Sequence, residues 1–551
     1  MAISIRTNIN SNNKSKLLFL GSLFIFIIPI LIIFLHIFVP TSELWSHLIE
    51  NVLFLYITNT LIIVFWVIIF TLVLGVSTAW LMNMCKFPGQ KIYKWMLMLP
   101  LAIPAYVLAY IYAGFFEPSG MIFNLFDEYL GLGPTIYKTV EMRNIYGVIF
   151  ILSFALYPYV YLLTLSSFSE QSYCAAEVGK SMGLSPIQIF TKINIPLARP
   201  GIIAGLSFVA METLSEFGAM DYYGVSTFTT GIYRTWFAFG DDTSALHLAS
   251  ILLSFVFIVL ILENLLRGKS QYTNPSKKFV ESKKIFLKGK NAFLASLWCL
   301  VICLLGFLVP FIQLIIWIFE TYPDVDLQYY FNLIWSTIWL ASISAFLILF
   351  LSLYICYMGR SFKDFLTKIA IKIFTLGYSI PGIIIAMGVM TALIVFDRFQ
   401  SSLFDGSPLF YLTGSFVGLV FAYIVRFSTI SIKTNESGLD KIKLNIDNTA
   451  KSFGLSGFSI IKGIHFPIMK TSIISALILV FVDIAKELPA TLVLRPFNFE
   501  TLATHIYELA SAESLSMIAS PALALIFIGL IPVMILSKKI VHNEYATQTK
   551  D

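Results

Sequence analysis

Two similar stretches of the sequence decide the fold: EVGKSMGLSPIQIFTKINIP, at Glu177–Pro196, and NTAKSFGLSGFSIIKGIHFP, at Asn448–Pro467. Gly183 and Gly454 hold the same position in the two stretches, six residues after the first residue of each. A glycine suits the left-handed conformation that ends many helices. Each stretch therefore predicts a short helix, a glycine stop, a second short amphipathic helix and a proline before the next apolar run.

Matching residues recur at a nearly constant separation along much of the chain. Thr60 and Thr337 lie 277 residues apart, and so do Pro104 and Pro381. Further along, where one loop is six residues shorter in the second copy, four pairs share a separation of 271 residues: Gly147 and Gly418, Gly183 and Gly454, Pro196 and Pro467, and Glu216 and Glu487. The sequence therefore consists of two homologous halves.

The composition indicates a membrane protein. Of the 551 residues, 58% are hydrophobic and 12% are charged, whereas soluble proteins are about 45–50% apolar and about 25% charged. A soluble enzyme, a disordered scaffold and a secreted disulfide module are excluded. The five cysteines show no metal-ligand pairing, and the sequence contains no recognisable catalytic set.

Twelve apolar runs are long enough to cross a bilayer as helices. They fall near residues 17–39, 57–82, 95–116, 145–165, 201–220, 245–266, 293–318, 334–358, 373–395, 412–432, 471–490 and 517–537. The predicted fold class is all-α and polytopic, with two six-helix halves. Because six is even, both halves insert the same way, and a transport path is expected between them.

The positions of the basic residues predict the orientation. With the N-terminus inside, the cytoplasmic segments hold 30 of the 37 Lys and Arg residues, as the positive-inside rule requires. Both termini are therefore expected in the cytoplasm. The net charge of +6 is interpreted as topology, and no nucleic-acid partner is predicted. The first run, 17–39, lacks a cleavage site and is expected to remain as a span.

The repeat also predicts the domain organisation. We expect a first transport module at 55–266, a basic cytoplasmic linker at 267–292 and a second module at 331–537. The runs at 17–39 and 293–318 are expected to form an extra N-terminal helix in each half.

The repeated loop resembles the EAA loop of ABC importer permeases, in which a glutamate is followed by two small residues, a glycine six positions on and a proline thirteen positions later. The likeness rests on Glu177, Gly183 and Pro196 in the first copy and on Gly454 and Pro467 in the second. It implies the type I importer fold and a coupling helix that docks on an ATP-hydrolysing subunit.

Departures from the family pattern concern the start of each loop. Val178 and Gly179 replace the two alanines, and Asn448 stands where the second copy should carry its acid, with Asp447 one residue earlier. We expect both Asp447 and Asn448 to belong to the second coupling loop, which is expected to grip its ATPase less tightly.

The same resemblance implies the partners. They are two copies of an ABC ATPase subunit at the cytoplasmic face, a periplasmic substrate-binding protein and membrane lipid, with the chain in the bacterial inner membrane. ATP and Mg would be bound by the partner subunit, and no cofactor by this chain. The chain is expected to be a transport subunit without enzymatic activity.

Three further segments, at 99–110, 211–225 and 486–499, resemble the fused ferric-iron permeases. The resemblance implies that the chain passes ferric iron from a periplasmic binding protein to the cytoplasm. Thiamine, polyamine, phosphonate and sulfate importers of the same family remain alternatives. An ion-coupled secondary transporter also remains, although it has no need of paired docking loops.

Acidic residues within the spans are candidates for the path. Glu212 and Glu216 are four residues apart and therefore on one helical face, and Asp483 and Glu487 repeat the pair. Such charges usually face a cavity or a partner, and oxygen ligands suit a hard cation. Structural pairing with Lys486 or Arg495, or a position at the outer interface, is the alternative.

Two adjacent tyrosines, Tyr222 and Tyr223, offer additional phenolate oxygens to the predicted path. The alternative for both is membership of an aromatic belt at the membrane surface. No residue is firmly assigned to a metal, and none is assigned a catalytic role.

Overall fold

A computed structural model of the chain describes residues 2–117, 120–131, 141–169, 181–267, 285–321, 326–404, 410–455 and 458–531, together with Gly179, Pro408 and Met534. Within these residues ten helices are long and apolar enough to cross a membrane. A bent pair, Gln90–Ala102 with Ala105–Phe116, brings the number to eleven. The expectation of an all-α polytopic protein is confirmed.

The first part of the chain contains fourteen α-helices among its described residues. They are α1 (Ala2–His36), α2 (Glu43–Asn51), α3 (Leu53–Met84), α4 (Gln90–Met96), α5 (Ala105–Phe116), α6 (Met121–Leu130), α7 (Ile145–Ser169), α8 (Pro186–Ile189), α9 (Ile195–Ser215), α10 (Gly218–Tyr222), α11 (Phe228–Phe237), α12 (Asp242–Arg267), α13 (Lys290–Cys303) and α14 (Val309–Thr321). Two short strands, β1 (Cys85–Lys86) and β2 (Ile285–Phe286), pair in parallel.

The remainder of the chain repeats much of this order. Its helices are α15 (Leu327–Ser361), α16 (Phe365–Phe374), α17 (Gly382–Leu403), α18 (Phe416–Leu439), α19 (Leu444–Ser452), α20 (Phe458–Ile460), α21 (Phe466–Ala485), α22 (Pro489–Leu494) and α23 (Leu502–Ser511). A last apolar helix, α24 (Leu515–Ile531), is too short to count as a span on its own and coincides with the predicted run at 517–537.

A proline explains the sharp bend in the third predicted span. The two helical pieces meet at 93°, with Pro104 as the residue before α5. Proline has no N–H to donate and disfavours helical backbone in the residue before it, so Ile103 is extended. In the second half Pro381 precedes α17 in the same way.

The described chain divides into two compact units. One contains Thr41–Leu327 and His505–Asp551. In its centre α3 and α9 approach α7 closely, because a Cβ on Gly75 would lie 2.6 Å from the Val160 Cβ and a Cβ on Gly205 would lie 2.8 Å from the Val160 Cα. Small residues at helix crossings are typical of membrane bundles. In the same unit the Tyr112 hydroxyl donates to the Leu305 carbonyl at 2.6 Å.

The other unit contains Met1–Pro40 and Gln328–Thr504. Helix α1 packs here: Phe26 lies 4.8 Å from the Phe374 ring, and Gly388 leaves room for the Pro29 carbonyl. Each extra N-terminal helix thus belongs to the unit built mainly from the other module. The sequence repeat predicts the two helices but carries no signal for this exchange. Most of the predicted linker, 268–284, lies outside the described residues.

Candidate functional site

Both glycine loops end their first helix in the same way. Gly183 has φ +76° and Gly454 has φ +78°, the left-handed conformation that the spacing predicts. The Leu184 N–H donates to the Gly179 carbonyl and the Leu455 N–H donates to the Ala450 carbonyl, each at 3.1 Å. This bond from the second residue past the end is the Schellman motif. Glu177 lies outside the described residues, so its role stays a prediction.

The sequence predicted that a proline separates the second short helix of each loop from the next span. The structure shows that the helix continues through this point in both loops. In the first loop α8 continues through a π-helical turn at Phe190–Asn194 into α9, with Pro196 in the first turn of α9. In the second, α20 continues through Ile461–His465 into α21, which begins with Phe466-Pro467. The wider π turn relieves the clash between a proline ring and the preceding carbonyls.

Asp447 and Asn448 point in different directions from the second loop. Asn448 is exposed, whereas Asp447 is buried and accepts hydrogen bonds from Arg360 Nε at 2.7 Å and His465 Nε2 at 2.9 Å. Burial acts to raise the pKa of Asp447, but these two hydrogen bonds outweigh it and hold the pKa below its usual value. Asp447 therefore fastens the loop to the end of α15.

The first copy does not repeat the two basic residues that bind Asp447. The residues at the repeat positions of Arg360 and His465 are Asn83 and Asn194. Asn194 is buried, and Asn83 accepts a long hydrogen bond, 3.4 Å, from the Ser169 hydroxyl. The two loops thus share their glycine turn but differ at the two positions whose basic side chains bind Asp447 in the second loop. Sequence reasoning missed Arg360 and His465, which are detectable by comparing the two halves.

Glu216 and Glu487 occupy equivalent breaks between helices. Glu216 lies between α9 and α10, and its Oε1 accepts from the Ala219 N–H at 3.0 Å. Glu487 lies between α21 and α22, and its Oε1 accepts from the Ala490 N–H at 3.1 Å. Each carboxylate therefore caps the short helix that follows it, which is a role the sequence did not predict.

Glu487 is also paired with a buried cation. Arg426 Nη1 lies 3.2 Å from Glu487 Oε1, and the two side chains are 8% and 5% exposed. Gly382 makes room for the pair, because a Cβ there would lie 1.8 Å from Arg426 Nη1. The sequence analysis considered Lys486 or Arg495 as the cation that pairs with the acids. The partner that the structure gives to Glu487 is Arg426.

The first half does not repeat the arginine of this pair. Ala155 stands at the repeat position of Arg426, and Ala105 stands at that of Gly382. Of the other two predicted path acids, Glu212 is half-buried, and Asp483 interacts electrostatically with Lys486. The acids of the second half thus each lie near a basic side chain. A path role for Glu212, Glu216, Asp483 and Glu487 stays a prediction.

The adjacent tyrosines have different surroundings. Tyr223 is buried and donates to the Ala109 carbonyl at 3.0 Å, so its hydroxyl is engaged within the bundle. The Tyr222 hydroxyl accepts from Arg143, whose guanidinium also pairs with Glu117 and with Glu513. The hydrogen bond from Arg143 holds the pKa of Glu513 below its usual range. The cluster of Arg143, Glu117, Glu513 and Tyr222 was not predicted from the sequence.

The apolar spanning helices define the class of protein, a polytopic membrane protein, and the glycine turn occurs in it twice. The family described as binding-protein-dependent transport system inner membrane component matches residues 71–269. Over these residues the chain is similar to the inner-membrane components of binding-protein-dependent transport systems.

Three individual transport permeases are similar in sequence to this chain. The chain is 24% identical over 493 residues to the Fe(3+)-transport system permease protein FbpB 2 of Haemophilus influenzae, covering 88% of this chain and 89% of the relative. It is 24% identical over 453 residues to the ferric transport system permease protein FbpB of Actinobacillus pleuropneumoniae, covering 77% of this chain and 62% of that protein. The molybdenum transport system permease protein ModB of Escherichia coli is 26% identical over 201 residues, 35% of this chain and 85% of the relative.

Proposed function

We propose that this chain is the permease subunit that passes ferric iron from a periplasmic binding protein to the cytoplasm across the bacterial inner membrane. The observation that supports ferric iron as the substrate is the share of the chain that aligns with an iron-transport relative. A relative named for Fe(3+) transport aligns with 88% of the chain, through both modules, whereas the molybdenum permease aligns with 35%. The fused two-module organisation is shared with the iron relatives.

The energy source in this proposal is ATP hydrolysed by a separate subunit. Two exposed turns built around Gly183 and Gly454 support two docking sites of one kind, because the same backbone conformation occurs twice in one chain. Two copies of an ATPase subunit would bind there, with ATP and Mg held by those subunits. The chain itself would supply the path and the docking loops, and both of its termini would lie in the cytoplasm.

The Glu487 carboxylate is better suited to scaffolding than to carrying substrate, since Arg426 already neutralises it. The repeat position of Arg426 in the first half holds Ala155, and a path role is proposed here for Glu216.

A growth experiment tests the substrate. A host that lacks its own high-affinity uptake systems would receive the genes for this permease, its ATPase and its binding protein. The proposal expects rescue of growth on limiting ferric iron and no rescue on limiting molybdate or sulfate. Rescue by molybdate alone would favour the second candidate, a molybdate permease, for which the ModB similarity speaks.

A further inference from the structure

Two buried hydroxyl groups in the unit that contains α3, α7 and α9 have no hydrogen-bond partner among the described residues. They belong to Thr60, on α3, and Thr213, on α9, which are 6% and 3% exposed. Thr213 lies in the last turn of α9, just before the break at Glu216. An unpaired buried hydroxyl destabilises the fold, so two of them close together in one bundle need an explanation.

Both threonines line the same small cavity. Its volume is about 10 Å³, and Thr227 and Thr229, at the N-terminal end of α11, line it as well. One buried water molecule needs about this much room and roughly two to four polar partners. The other residues that line the cavity are apolar, and none of its lining residues is charged. A neutral polar ligand therefore suits it better than an ion, which would need a compensating charge.

The corresponding threonine of the second half is bonded to the backbone. Thr337 is the counterpart of Thr60, and its hydroxyl accepts the Leu502 N–H at 2.8 Å and donates to the Leu333 carbonyl at 3.0 Å. The counterpart of Leu502 is Phe228, because each is the first residue of a helix capped by a preceding threonine. Phe228 lines the cavity. The cavity thus lies where the second half makes a direct hydrogen bond.

Other polar residues of the cavity wall are also peculiar to the first half. Ile484 stands at the repeat position of Thr213, and Ala503 stands at that of Thr229. The Thr229 hydroxyl donates to the Glu216 carbonyl at 2.8 Å, so the cavity wall includes a group that holds the break between α9 and α10. Ordered water is one means by which broken membrane helices satisfy the backbone groups that a break sets free.

We propose that this cavity is a binding site for one water molecule, which hydrogen-bonds to the hydroxyls of Thr60 and Thr213. Water both donates and accepts, and a bridge through it is nearly as favourable as a direct hydrogen bond. It would do for Thr60 what the Leu502 N–H does for Thr337, and it would connect α3 to the end of α9. The break at Glu216 would then be supported by bound water.

The sign of a stability change distinguishes a bound water from a dry cavity. Thr60→Val and Thr213→Val keep the branched side chain and remove the hydroxyl. If water fills the cavity, each change takes a partner from it, so the unfolding equilibrium constant of the purified permease in detergent micelles should rise about two- to tenfold. In a dry cavity each change removes an unpaired hydroxyl. The constant would then fall, and that result would overturn the site.

The double variant tests whether the two hydroxyls share one ligand. Thr60→Val combined with Thr213→Val should raise the unfolding constant by less than the product of the single effects, because both remove contacts to the same water. Independent effects that multiply fully would contradict a shared water molecule.

Thr164→Val is the matched control. Thr164, on α7 in the same unit, is buried, and its hydroxyl also lacks a partner among the described residues, but it does not line this cavity. Its replacement should leave the unfolding constant equal or lower it. A rise as large as that caused by Thr60→Val would show that the cavity is not the cause and would overturn the assignment.

A density map of the whole permease in lipid nanodiscs, at a resolution that shows ordered water, tests the site directly. The proposal expects a peak within about 3.0 Å of both hydroxyl oxygens. Thr213→Ile, which introduces the residue of the second half, should abolish that peak. A wild-type map without it would overturn the site. Neither the map nor the unfolding measurements involve iron, so their failure would leave the proposed function untouched.

Discussion

Removing the charge of Glu487 should destabilise the protein through Arg426. Glu487→Gln keeps the size of the side chain and an oxygen to cap the Ala490 N–H, so the loss is confined to the charge. Arg426 is 6% exposed, and its Nε has no hydrogen-bond partner among the described residues. Leaving such a cation unpaired costs about 3–5 kcal/mol.

The magnitude can be checked with a double-mutant cycle. Arg426→Ala combined with Glu487→Gln removes both charges, so it should cost less than the sum of the single changes, with an interaction free energy near the upper end of the usual range, about 3 kcal/mol. Gly382→Ala alone should also be destabilising, because the added Cβ would lie 1.8 Å from Arg426 Nη1. In the Arg426→Ala background the contact with Arg426 disappears, but the added Cβ would still lie 2.4 Å from Glu487 Oε1, so the loss should be reduced and not abolished.

The assay is reversible unfolding of purified protein in mixed detergent micelles. The matched control is Glu216→Gln, the same chemical change at the equivalent position, where Ala155 replaces the arginine. It should cost well under the loss caused by Glu487→Gln, because Ala155 at the repeat position of Arg426 carries no charge that could lose its partner. Equal losses for the two variants, or an additive cycle, would refute the scaffolding role assigned to Arg426 and Glu487.

Three further predictions concern the loops. Gly183→Ala should impair the coupling of ATP hydrolysis to transport, since an alanine in the left-handed conformation costs about 1–2 kcal/mol. Gly183→Asn should be tolerated, and so should Gly463→Ala, because Gly463 has open space around it and an ordinary backbone conformation. Coupled ATPase assays measure this, and impaired coupling by Gly463→Ala would contradict the prediction. Asp447→Asn should speed hydrogen exchange in Leu444–Ser452 at pH 7. Because the pKa of Asp447 is lowered in the folded protein, the stabilisation that its charge provides is complete above the ordinary carboxyl pKa of about 3.9. That stabilisation disappears as the pH falls through the folded pKa, so the exchange rates of wild type and variant should then converge. In a cysteine-free background, Asp242→Cys should react with an impermeant maleimide added outside and Ser452→Cys should not; the reverse pattern would invert the topology.

Elements with a periodic or repeated signal were predictable from the sequence. The spans follow from length and apolar composition, and the left-handed turns at Gly183 and Gly454 follow from the one residue type that adopts them cheaply. The break at Pro104 has an equally local cause. The continuous helix through Pro196 was not predictable, because the π turn that accommodates it depends on the backbone around it and not on a residue type.

Long-range pairings were beyond the sequence alone. Arg426 is visible as a charge within an apolar run, which is itself a signal for a partner, but nothing local connects it to Glu487 across 61 residues. The comparison of the two halves is the signal that would have found Arg426, since Ala155 stands at its repeat position.

The most direct test of the central claim is the initial rate of ferric-iron accumulation in proteoliposomes. The permease would be reconstituted with its ATPase, with iron-loaded binding protein on one side and ATP on the other. The account predicts accumulation that requires both ATP hydrolysis and the binding protein. Accumulation that persists without ATP and follows an imposed ion gradient, or ATP-driven accumulation of molybdate with none of iron, would contradict it.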